Sequence, residues 1–167
     1  MPNRTKSSKP ANPNAIDLLT TDHREVKALF KQYDKLAQSG GSDDEKQALA
    51  EQICQMLTVH ATIEEEIFYP AAREALGEDG DLVDEADIEH ASAKELIAQI
   101  EASSPVEDHF DARVKVLGEY IDHHVKEEEG EMFPKVKKGG LDVAALGAEL
   151  LTRKQELVAS LNEEPAH

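Results

Sequence analysis

Cysteine is almost absent from this sequence: Cys54 stands alone among 167 residues, which excludes an intramolecular disulfide and any cysteine-rich zinc site. Tryptophan is missing and aromatic residues make up 4 %, too few for recognition of nucleic acid by base stacking. Positive charge is scarce as well. Lys and Arg total 18 against 35 Asp and Glu, a net charge of −17, which argues against nucleic-acid phosphates and against anionic membrane surfaces as partners. No apolar run approaches the ~20 residues of a bilayer span. The opening MPNRTKSSKPANP lacks the apolar stretch of a signal peptide. These absences lead us to expect a soluble, cytoplasmic chain of one domain.

Residues 1–13 carry Ser, Pro, Asn and basic residues without hydrophobic period and read as a flexible tail. From Asn14 onward helix signals dominate. Ser42–Glu45 and Ser104–Glu107 have capping-box spacing, the second with a proline at the first helical position. Glycine and serine clusters punctuate the intervals and predict helices near 14–38, 43–76, 81–102, 105–138 and 142–161. The expected fold is all-α: an antiparallel up-down four-helix bundle over residues 14–138. A further amphipathic helix and short tail follow over 139–167. That last helix either caps the bundle or forms a homodimer contact.

The apolar stripes of the four long helices each carry one histidine in register. Ile16, Leu19 and Val26 flank His23, while Ile53, Met56 and Ile63 flank His60. Val83, Ala86 and Ala93 flank His90, and Leu117 and Ile121 precede His124. The chain also repeats itself. Asp22-His23 with Lys27 matches Glu89-His90 with Lys94, and His60-x-x-x-Glu64 with Pro70 matches His124-x-x-x-Glu128 with Pro134. Two such hairpins paired about an approximate two-fold axis turn all four histidines inward. His23 and His60 fall at matching depth from their turn, whereas His90 and His124 fit less evenly, at about 13 and 20 residues from theirs.

A histidine and a glutamate at i and i+4 share one helix face. His60/Glu64 and His124/Glu128, with His23 and His90, therefore gather four imidazoles and two carboxylates around one point. Without a cation that core costs several kcal/mol in desolvation and repulsion. Nitrogen and oxygen donors without thiolate suit iron or manganese, and a carboxylate can bridge two ions. We expect two metal ions bound by His23, His60, Glu64, His90, His124 and Glu128, with a position left open for a small ligand such as dioxygen or peroxide.

This pattern resembles the hemerythrin-like family, the HHE cation-binding domains, over roughly residues 15–138. The resemblance rests on His23, HATIEEEIFYP from His60, IEH ending at His90 and HVKEEEGEMFP from His124. It implies a four-helix bundle with a non-haem di-iron centre that an oxo or hydroxo group can bridge. His23 and His60 would hold one iron, His90 and His124 the other, with Glu64 and Glu128 between them. The oxygen carriers of that family have a further histidine one turn along the third helix, where this chain has Lys94. Their last motif places an aspartate five residues after its histidine, where Glu128 follows His124 at four. The departures favour redox chemistry on peroxide or oxygen, catalase-like in type. Reversible oxygen carriage and an iron- or oxygen-sensing role are the alternatives.

The remaining candidates read more plainly. His123 points about 100° away from His124 and should flank the site. Asp22 and Glu89 are expected on the surface, as are the acids beside Glu64 and Glu128. Tyr33 and Tyr120 are expected in the core, with a ligand or radical-quenching role open to either. Cys54 should fill core space, and Pro70 and Pro134 should kink or end their helices.

Overall fold

The computed structural model describes residues 13–163, so the expected tail and the last few residues lie outside the described segment. Helix α1 spans Ala15–Gln38 and α2 spans Asp43–Ile63. A π-helical turn at Glu64–Phe68 joins α2 to α3, Tyr69–Leu76. Helix α4 covers Asp81–Glu101 and α5 covers Phe110–Glu127. A second π turn at Glu128–Met132 leads into α6, Phe133–Lys138, and α7 runs from Val143 to Glu163.

Local chemistry fixes several boundaries. The Asn14 side chain accepts from the Asp17 N–H at 2.8 Å, and Ser42 Oγ accepts from the Glu45 N–H at 3.1 Å, satisfying orphan donors at two helix starts. Gly40, at φ 71°, takes the left-handed turn that closes the α1–α2 hairpin. The Ser104 box behaves differently. The Glu107 carboxylate reaches back to the Ser104 N–H at 3.2 Å, yet the chain turns again at His109, whose φ is 74°, and α5 begins only at Phe110. The expected start at 105 is thus displaced by five residues. This also removes the uneven fit of the second hairpin. His90 lies 11 residues before Glu101, and His124 lies 14 after Phe110.

Helices α1, α2, α4 and α5 form an antiparallel ring, α1 packing on α2 and α5, and α4 on α2 and α5. The core divides into two apolar clusters, one at each end of the bundle. Leu19, Ile63, Phe68, Ala86, Met132 and Val136 belong to the first. Val26, Ile53, Leu57, Ile97, Val114 and Leu117 belong to the second. Each fully buried Val, Leu, Ile, Phe or Met side chain among them contributes about 1.5–3 kcal/mol. The histidines sit in the layer between the clusters. Both ends are apolar, so the polar layer is held away from water by packing on either side.

Helix α7 lies against α1, α2 and the first π turn, and inserts Leu146 and Leu150 into the first cluster. Its close approach depends on Gly147, where a Cβ would stand 2.3 Å from the Pro13 carbonyl oxygen. The helix therefore packs along its own bundle as expected of a cap.

Candidate metal centre

The two π turns occur at matching places in the repeat, each beginning at the glutamate of a His-x-x-x-Glu pair. The Tyr69 N–H donates to the Glu64 carbonyl and the Phe133 N–H to the Glu128 carbonyl, both across five residues. Pro70 and Pro134 follow immediately. A proline inside an α-helix lacks a donor and its ring strikes the carbonyl four residues earlier. Widening the preceding turn relieves that clash, so both helices continue past their prolines rather than ending there. The wider turn also brings Tyr69 and Phe133 inward with their neighbours Phe68 and Met132.

The six residues singled out by the sequence converge. His23, His60, His90, His124, Glu64 and Glu128 are all buried, the two carboxylates at 0 % and 1 % exposure. Glu64 Oε1 lies 3.0 Å from His60 Nε2 and 3.2 Å from His90 Nε2. Glu128 Oε1 lies 3.2 Å from His23 Nε2, and its Oε2 lies 3.0 Å from His124 Nε2. Each carboxylate therefore stands between a histidine of one hairpin and a histidine of the other. Two groups of donors form, each tight enough for one ion: His23, His60, Glu64 and Glu128, and Glu64, His90 and His124.

Most of these short contacts bring opposite charges together without hydrogen-bond alignment. His23 Nε2, His60 Nε2, both oxygens of Glu64 and Glu128 Oε1 are buried without an aligned partner. Buried polar atoms in native proteins are almost always paired, and leaving one unpaired costs about 1–3 kcal/mol. Five such atoms facing one another fit a bound cation, and the N/O donor chemistry fits iron or manganese.

The outward nitrogen of every histidine is held by a different carboxylate. His60 Nδ1 donates to Asp22 at 2.9 Å and His124 Nδ1 to Glu89 at 2.9 Å. His90 Nδ1 donates to Glu65 at 3.0 Å and His23 Nδ1 to Glu129 at 2.8 Å. This arrangement fixes the ring and turns the Nε2 lone pair inward once the ring is neutral. It corrects the expectation that Asp22, Glu89, Glu65 and Glu129 are surface charge. Asp22 is buried at 3 % exposure and the other three are partly buried. Behind them stand further charges: Lys154 of α7 donates to Asp22 at 2.5 Å, and Lys94 to Glu65 at 2.6 Å. His123, 66 % exposed, contacts Glu89 and Glu127 and flanks the site as expected.

These pairings shift the acid–base chemistry. Burial by itself would lower the His60 and His124 values. Glu64 and Asp22 outweigh it for His60, which is raised to about 10. Glu128, Glu89 and Glu64 do the same for His124, raised to about 11. Burial would raise the Glu128 carboxyl, yet the neighbouring histidines hold it well below the usual range.

Tyr69 was not among the tyrosines singled out by the sequence. Its hydroxyl donates to Glu128 Oε2 at 2.7 Å and lies 3.1 and 3.3 Å from the Nε2 atoms of His90 and His124. Its counterpart in the repeat is Phe133, whose ring stacks on His23 with centroids 6.1 Å apart. The Tyr69-Pro70 and Phe133-Pro134 match was the available signal. Tyr33 instead donates to Asp111 at 2.6 Å at the far end of the bundle, and Tyr120 is half-exposed on α5 rather than in the core.

The family model for the hemerythrin HHE cation-binding domain matches residues 14–136. The chain belongs to the hemerythrin HHE cation-binding family. A crystal structure of an HHE cation-binding domain-containing protein from Mycobacterium kansasii shares the fold, with a TM-score of 0.72 over 89 % of each chain at 23 % identity. The HHE chain is also similar to a protein of Nostoc sp. (strain PCC 7120) named DNA nickase, 37 % identical over 134 residues. That match covers 80 % of this chain but 36 % of the relative, so the HHE chain spans about a third of its length. Among the described residues no helix is long and apolar enough to cross a membrane.

Proposed function

We propose that this HHE domain holds a pair of iron ions and uses them on dioxygen or hydrogen peroxide, consuming peroxide in a catalase-like manner. The observation that carries the proposal is the set of five buried donor atoms without hydrogen-bond partners, backed by four imidazoles each held at Nδ1 by a carboxylate. His23 and His60 would hold one ion, His90 and His124 the other, and Glu64 and Glu128 would bridge. The metal pair, when bound, supplies two-electron redox chemistry without releasing a radical.

The surrounding residues suit a very small reactant. A cavity of about 30 Å³ adjoins the histidine layer, walled by Val26, Leu57, Ala93, Ile97 and Ile121. It has room for one or two water-sized molecules, and its wall is largely apolar, with Thr58 and Lys94 on the solvent side. Tyr69 Oη holds a proton at Glu128 Oε2, 2.7 Å away, inside the donor set. Glu129, 36 % exposed and bonded to His23 Nδ1, gives that ring a proton contact with solvent. Such groups meet the proton demand of peroxide turnover while Glu64 and Glu128 hold metal.

The test is metal analysis, followed by mixing ferrous and ferric protein separately with oxygen and with peroxide. We expect two irons per chain and iron-dependent oxygen release from peroxide. A stable oxygen complex reversed under vacuum would instead make the protein a carrier, and peroxide loss no faster than with free iron would remove the catalytic proposal.

A further inference from the structure

A groove of about 650 Å³ runs along the outside of the bundle between α1 and α5. Its floor is apolar: Val26 is buried, and Phe30, Ile121 and Val125 are half-buried. Gly118 shapes that floor. A Cβ there would stand 3.1 Å from the Phe30 ring, so glycine lets the ring lie against α5. A mid-helix glycine costs roughly 0.5–1 kcal/mol relative to alanine, and the flat aromatic floor is what it makes room for. The inner end of the groove is formed by His23 and Glu129, the outer end by Lys31, Asp34 and Lys115.

The rim is unusual for so acidic a chain. Acids outnumber bases 35 to 18 overall, yet Arg24, Lys27, Lys31, Lys115 and Lys126 all line this one groove. Lys126 and Lys27 are engaged by Asp122, at 3.2 and 3.9 Å. Arg24, Lys31 and Lys115 form no ion pair among the described residues, and the rim acids Asp34 and Glu119 form none with them. From His23 to Lys31 the groove follows eight residues of α1, about 12 Å at the helical rise, which together with the reach of the lysine side chain matches an extended chain of about ten to twelve carbons.

We propose that this groove binds a single-chain aliphatic carboxylate, its headgroup at Lys31 and Lys115 and its tail on Phe30, Ile121 and Val125 toward His23. The apolar floor accounts for the tail and the two unpaired lysines for the single anionic head. The placement brings the tail's end to the edge of the histidine layer. Binding itself needs no metal.

The experiment is calorimetric titration of the full chain with dodecanoate, with and without metal, alongside dodecyltrimethylammonium as a cationic chain of equal length. We expect saturable one-to-one binding of dodecanoate in both forms, weak or no binding of the ammonium, and at least about tenfold weaker dodecanoate binding in the surface double variant Lys31→Glu/Lys115→Glu. Far-ultraviolet circular dichroism checks that the variant is folded. Equal binding of both amphiphiles, undiminished affinity in the folded double variant, or no heat with dodecanoate would each overturn the proposal. A chain that binds dodecanoate but no iron would refute the di-iron function and leave the groove standing.

Discussion

Raising the pH should destabilise the metal-free protein and spare the metal-loaded one. His60 and His124 keep their protons in the folded state up to about 10 and 11, against an ordinary value of 6.5. A raised value of this kind stabilises the fold fully below about pH 6.5, and the contribution is lost as the pH climbs through the folded values. Between pH 6.5 and 9 the unfolded chain has released these protons while the fold still holds them. Each histidine then costs about 1.4 kcal/mol of stability per pH unit, or about 3 kcal/mol over that window. The two share Glu64 as a partner, so their effects do not add in full, and the sum is about 3–6 kcal/mol. At about 2–4 °C per kcal/mol for a domain of this size, the melting temperature should fall on the order of 10 °C. At the acid end the sign reverses. Asp22, Glu89 and Glu128 have lowered values, so their contribution is present above the ordinary carboxylate range and lost as the pH falls through the folded values. The metal-free optimum therefore lies between about pH 4.5 and 6.5. Bound ions replace the same protons, so the loaded protein should hold its melting temperature from pH 6.5 to 9 and the gap between the two forms should widen. The assay is thermal unfolding followed by circular dichroism, in chelator and after anaerobic loading with iron(II). A chelated protein whose melting temperature is flat or rises across this window would show that the folded histidines are neutral, and would refute the argument.

Two further outcomes follow from groups that sequence spacing did not single out. Lys154→Met should leave Asp22 buried without its cation and loosen the His60 ring, weakening metal retention about tenfold in a chelator competition, with Lys154→Arg restoring most of it. Tyr69→Phe removes the one polar difference between the two halves at that repeat position, and should change the visible spectrum of the iron(III) protein at full metal loading; an unaltered spectrum would place Tyr69 outside the metals' surroundings.

Local periodicity determined a great deal here. The heptad spacing of apolar residues sets an all-α chain, and the same spacing puts one histidine in the middle of each stripe, with Glu64 and Glu128 one turn after His60 and His124. Those relations lie within single helices, where backbone geometry alone decides which side chains share a face. The gathering of the six residues into one buried layer needed only that the stripes face each other, which burial of the apolar positions enforces. The carboxylates behind the histidines were a different matter. Glu129 reaches His23 across 106 residues and Lys154 reaches Asp22 across 132, so their partners depend on how neighbouring helices are rotated and staggered. An acid next to a histidine in sequence points away from that histidine's face, and Asp22 and Glu89 find instead the rings of the adjacent helices. The π turns shift the face once more, exchanging an expected proline kink for an inward Tyr69 and Phe133. The late start of α5 belongs with these: the Ser104 box was present, but the left-handed turn at His109 and the burial of Phe110 decided where the helix begins. Within-helix spacing chose the donors, and packing between helices chose what holds them.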